Sequence, residues 1–140
     1  MSQENKTIAH RYVEEFWNEG RVDIFEEIVA PDGVSHSTLG DANAEEWRQG
    51  TAALRNAFPD IRITIDDEIA ADGKVVQRWT IRGTHQGDFF GVPATGKKVA
   101  WPVIAIFRLS GAKIAEVWTQ GDTLSTLQQL GAVPTLGGLS

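Results

Sequence analysis

The sequence predicts an α+β fold, with helices packed on a curled antiparallel sheet. Three observations predict it. Apolar residues up to Phe58 recur at helical spacing, and after Pro59 the period drops to two. Each helix carries a single apolar stripe, so the helices must cover one face of the sheet. That arrangement leaves a pocket between helices and sheet.

The elements follow in order. Residues 4–18 read as a helix, because Ile8, Tyr12, Val13, Phe16 and Trp17 build one stripe. Asn18-Glu19-Gly20 ends it, glycine being able to take the left-handed conformation. A short helix near 22–29 turns Ile24, Phe25 and Ile28 inward. Pro31-Asp32-Gly33 reads as a turn, and 34–37 as a short extended piece carrying His36. A third helix starts near Asn43, a candidate N-cap, and runs to Phe58, where Pro59 stops it. Ile61, Ile63 and Ile65 then alternate with Arg62, Thr64 and Asp66, as in a half-buried strand. Asp72-Gly73 is a two-residue hairpin signal. Strands at 74–85, 99–109 and 113–122 follow, with a glycine-rich loop after the first and a turn at Ser110-Gly111 after the second. A helix over 123–130 closes the chain. Residues 1–134 read as one domain and 135–140 as a flexible tail.

The bulk properties narrow the function. A chain of 140 residues can bury a proper core. The net charge of −6, with no Lys/Arg cluster beyond Lys97-Lys98, argues against nucleic acid as a partner. There is no cysteine, which excludes disulfides, thiolate nucleophiles and Cys-bound zinc. Three histidines make a His-rich metal site an unpromising expectation. The N-terminus is polar, and no apolar run approaches the roughly 18 residues of a membrane span. The expectation is a cytoplasmic protein with no membrane partner.

Alternation assigns the sheet faces. Val75, Gln77, Trp79, Ile81 and His85 share one face of their strand, taken as the interior; Val76, Arg78, Thr80 and Arg82 share the other. On the last strand Ile114, Glu116, Trp118, Gln120 and Asp122 share a face. Trp118 and Asp122 are therefore expected to point into the pocket together with Trp79, where flat indoles suit a flat aromatic ligand. The strand 99–109 is apolar on both faces, and helices cover only one. A homodimer through the sheet is the simplest cover for the other.

Asp122 has two readings. Just before Thr123-Leu124 it is a good helix N-cap. Inside an apolar pocket beside Trp118 it would be a carboxyl of raised pKa, fit for acid and base work. His36 is either a hydrogen-bonded structural histidine or a site residue. His85, at the mouth of the glycine-rich loop, suits a hydrogen bond to loop backbone. His10 lies off the main stripe and reads as solvated. The glycines at 83, 87, 91 and 96 join two strands and enter no helix, so they read as turns and a bulge and do not make a phosphate site.

Several stretches carry a family resemblance: Phe58-Pro59-Asp60, Arg82-Gly83-Thr84-His85-Gln86-Gly87, Gly91-Val92-Pro93-Ala94-Thr95-Gly96, Ile106-Phe107-Arg108, Lys113-Ile114-Ala115-Glu116-Val117-Trp118, and Asp122 with Leu127-Gln128-Gln129-Leu130-Gly131. With them, residues 5–133 resemble the SnoaL-like polyketide cyclases, also called ester cyclases. That resemblance implies the cone-shaped barrel of nuclear transport factor 2-like (NTF2-like) proteins. It also implies an intramolecular aldol ring closure on a small apolar or aromatic substrate, with no metal and no cofactor. Asp122 matches the family's acid/base aspartate. His36 matches a family histidine that faces the pocket, as a binding or weakly catalytic group. Trp79, Trp118 and His85 complete the expected substrate-binding set. Two alternatives stand beside this one: an isomerase or epoxide hydrolase on the same fold, and a binding protein without catalysis. Arg78 and Arg82 are aimed away from the pocket, which weakens the hydrolase.

Overall fold

The computed structural model describes residues 2–38 and 40–133; the expected flexible tail at 135–140 lies outside them. The first helix, α1, spans Ser2–Arg11 and continues as a π-helical turn over Tyr12–Asn18. The sequence predicts the helix but not the change of pitch. A 3-10 turn at Val22–Ile24 leads into α2, Phe25–Ile28, and then β1, Val29–Ser37, which is longer than the expected piece at 34–37. Pro31-Asp32-Gly33 does bend the chain, yet as an irregularity within β1. Val29 pairs with Ile114 and Val34 with Glu116, so the intervening residues bow out and the strand resumes.

A short strand absent from the sequence reading, β2 (Gly40–Asn43), folds back antiparallel on β1. Its residues are polar and small, so alternation gives no sign of it. Asn43 then caps α3, Ala44–Ala57, in a reciprocal box: its side chain accepts the Glu46 N–H at 2.9 Å, and Glu46 accepts the Asn43 N–H at 3.0 Å. The meander follows as β3 (Arg62–Ala71), β4 (Lys74–Thr84), β5 (Lys98–Ser110) and β6 (Lys113–Gly121), and α4 (Thr123–Gln129) is the last described element. Asp72 and Gly73, at φ 54° and 74°, form the tight β3–β4 turn. The β5–β6 turn falls on Gly111 and Ala112, one residue later than expected.

The six strands make one curled sheet in the order β2-β1-β6-β5-β4-β3, which is not closed into a full barrel. All neighbours are antiparallel except β1 and β6, which run parallel. The parallel pair is possible because α3 and the meander separate β1 from β6 in sequence. The core lies between the inner sheet face and the helices, with Phe16, Phe25, Phe58 and Phe107 at 2% exposure or less. Asp60 accepts both the backbone N–H and the hydroxyl of Thr84, each at 2.7 Å, pinning the start of β3 to the end of β4. These bonds hold its carboxyl below the usual range. No helix among the described residues is long and apolar enough to cross a membrane.

Candidate functional site

One cavity of about 520 Å³ opens between α3, the π-helical turn and the inner face of β4, β5 and β6. Its walls are aromatic. Trp17 comes from the π-helical turn, Trp47 from α3, Trp79 from β4 and Trp101 from β5. Phe89 and Phe90 enter from the glycine-rich loop, with rings 4.7 Å apart and perpendicular. Phe90 holds φ 49° and is 49% exposed, so an unfavourable backbone conformation carries an apolar ring at the surface.

Polar groups are few. Ser35, Ser37, Thr38, Thr51, Thr119 and Thr123 offer hydroxyls, and Tyr12 a phenol. Three carboxylates line the cavity, Asp41, Glu46 and Asp88, all solvent-exposed. Each is engaged: Asp41 with His36, Glu46 in the α3 cap, and Asp88 with the Gly91 N–H. Among the described residues no lysine or arginine lines the cavity.

Trp79 stands where the sequence places it, on the cavity wall, and its indole N–H donates to Gln77 at 2.7 Å. Trp118 does not. Leu109 pairs with Ile114 but Arg108 with Glu116, so Ala115 is an extra residue and inverts the alternation beyond it. Val117, Thr119 and Gly121 face the cavity, and Trp118 faces outward. His36, paired beside it, shares that outer position and stacks on Trp118 at 5.4 Å and 19°. Its ring bonds Asp41 at Nδ1 (2.7 Å) and Glu116 at Nε2 (2.6 Å), and Arg108 adds a third contact to Glu116 at 3.0 Å. Asp41 and then Glu116 raise the His36 pKa; His36 and then Arg108 lower that of Glu116. His36 and Trp118 thus couple β1, β2 and β6 on the outside of the sheet.

His85 is fully buried but does not line the cavity. Its ring lies 5.6 Å from that of Phe58 and 6.4 Å from that of Phe89, and Nδ1 accepts the Thr95 N–H at 3.1 Å. This bond ties His85 to the loop, and His85 is not among the residues that line the cavity. Gly87 lets the same loop close in, since a Cβ there would sit 2.5 Å from the Asn56 carbonyl oxygen.

Asp122 is exposed, and its side chain accepts the Ser125 N–H at 2.9 Å as the N-cap of α4. It does not lie in an apolar pocket beside Trp118. It stands at the rim, between Gly121 and Thr123, which both line the cavity. The sequence reading missed Tyr12, Trp17, Trp47 and Trp101 as cavity residues. Their places on apolar stripes and inner strand positions marked them only as core.

A curled sheet wrapped over helices around one aromatic-walled cavity defines an α+β protein of the NTF2-like class. The chain belongs to the SnoaL-like polyketide cyclase family, whose family model matches residues 7–130. Among solved structures it is similar to IdmH of Streptomyces antibioticus, assigned as a polyketide cyclase, at 32% identity and TM-score 0.80, covering 92% of this chain and 99% of that one. It is similar to AclR of Streptomyces galilaeus, assigned as a hydroxylase, at 26% identity and TM-score 0.87, covering 97% and 86%. A SnoaL-like protein from Jannaschia Sp. CCS1 shares the fold at 23% identity and TM-score 0.88, covering 95% of each chain. No curated protein matches the chain at a significant level.

Proposed function

We propose that the cavity binds a flat, largely apolar carbonyl compound and promotes an intramolecular aldol-type ring closure, or a related proton transfer, by general acid/base catalysis. The observation that carries this reading is the wall of four indoles and two phenyl rings broken by a few hydroxyls. The absence of lysine and arginine from that wall among the described residues, with carboxylates among its exposed members, disfavours an anionic substrate and is compatible with an ester or ketone. Membership of the family supplies the class of reaction.

In this reading Asp122 is the general base. It takes a proton from a carbon beside a carbonyl, and the released electron pair moves onto that carbonyl oxygen. The enolate carbon then attacks a second carbonyl of the same molecule, and the proton passes to the new alkoxide. Oδ1 accepts the Ser125 N–H, and the second carboxylate oxygen keeps the lone pairs that take the proton. Asp122→Asn tests this cleanly, because asparagine caps a helix as well as aspartate does. Turnover of a polyketide-like methyl ester should fall about 10²–10⁴-fold with its Kd unchanged. Retained turnover would confine Asp122 to capping.

A non-catalytic binding protein is the second reading. It is favoured by one observation: each carboxylate at the cavity, Asp122 included, is exposed and holds a partner. A homodimer through the outer sheet face completes the proposal. Ile104, 52% exposed, stands there beside half-buried Val76, Ile106 and Trp118.

A further inference from the structure

The Tyr12 hydroxyl has no part in the steps above, yet its surroundings are specific. The ring packs on Phe16 at 5.4 Å and Phe107 at 5.5 Å, neither of which lines the cavity. The oxygen accepts the Trp47 indole N–H at 2.9 Å, and Trp47 does line it. Tyr12 lines the cavity as well, and its hydroxyl lies against Trp47. With Trp47 donating to its oxygen, the phenol keeps its own proton to donate, and no acceptor among the described residues takes it. A hydroxyl that accepts one hydrogen bond also donates a stronger one.

Trp17 supplies a second donor. Its Nε1 is buried without a hydrogen-bond partner among the described residues, and the residue lines the same cavity. Burial raises the Tyr12 pKa above the usual 10.0, and the N–H groups of Trp47 and then Trp17 work against that rise. Tyr12, Trp17 and Trp47 all line the one cavity. The π-helical pitch brings Tyr12 and Trp17 together. Five residues along an α-helix fall on well-separated faces, whereas i→i+5 bonding sets such a pair nearly in line.

We propose that the Tyr12 hydroxyl and the Trp17 indole N–H form a paired donor site for one oxygen of the bound compound, a carbonyl that becomes an enolate. The inference rests on the cavity being a site for a carbonyl compound, and it fixes the orientation of that compound. Its oxygen lies on the helix side and its flat rings lie along Trp79 and Trp101 on the sheet side. When the base removes the neighbouring C–H proton, the electron pair ends on this oxygen, and both donors keep their protons while holding it. Donors fixed in a site poor in water favour the charged enolate over the neutral carbonyl.

The test uses two probes on the intact chain. 2-Naphthol carries an aryl oxide oxygen when ionised, and naphthalene has the same rings without it. The native protein should lower the ionisation pKa of bound 2-naphthol, read by its fluorescence. Tyr12→Phe and Trp17→Phe should each weaken 2-naphtholate binding about tenfold more than they weaken naphthalene binding. Trp17→Phe leaves the Trp47–Tyr12 bond in place, so it remains informative if loss of the phenol unfolds the chain. Naphthalene binding with 2-naphtholate affinity unchanged in that variant would overturn the donor pair and leave the cavity reading intact. Failure of both probes to bind the native protein would overturn the cavity reading and this inference with it.

Discussion

At Ala115 one extra residue decides which side chains see the cavity. Strict alternation sends Trp118 and Asp122 inward with Trp79; the bulge sends Val117 and Thr119 there and leaves Trp118 stacked on His36 outside. A bulge of this kind adds no distinctive residue type, so periodicity alone could not reveal it. Trp79 and the loop-holding bond of His85 were legible, because no irregularity intervenes between Gly73 and His85. The His36 cluster has a definite pH signature. Its two carboxylates raise the His36 pKa above the ordinary 6.5, so that contribution to stability is full below 6.5 and is lost as pH climbs through the raised value. The lowered Glu116 pKa contributes above the ordinary 4.5, and its share is lost as pH falls through the depressed value. The difference in urea midpoint between the native protein and His36→Asn should therefore be greatest between pH 4.5 and 6.5 and shrink on the alkaline side. A difference independent of pH would show that stacking on Trp118, rather than charge, is what His36 contributes.

At the scale of elements, caps and turns were the most legible features. Asn43, Asp72-Gly73 and Gly20 each act through local chemistry that a few residues suffice to display. Asn43→Ala removes a side-chain acceptor and should cost about 1 kcal/mol. Equilibrium urea unfolding would show it as a lower midpoint at unchanged slope, and an unaltered midpoint would mean that packing of Trp47 holds α3 without the box. The π-helical turn was not legible, since Tyr12, Val13, Phe16 and Trp17 fit an α-helical stripe as well. The parallel pairing of β1 with β6 was not legible either, because it depends on where the chain returns after the whole meander.

For the whole molecule, the division into a covered and an uncovered sheet face follows from β5. Its buried positions alternate strictly with Ala100, Pro102 and Ile104 on the outside. If a second copy covers that face, Ile104→Arg should convert a dimer to monomer in sedimentation velocity without changing cavity ligand affinity. A native chain that sediments as a monomer would remove the need for a partner there. The central claim concerns the other face, where four tryptophans surround one cavity. It is tested most directly by titrating tryptophan fluorescence with anthrone, a flat tricyclic ketone, in the native protein and in Thr119→Trp, which fills the cavity from β6. The account predicts saturable quenching in the native protein and its loss in the filled variant. Absent quenching, or equal quenching in both, would contradict it.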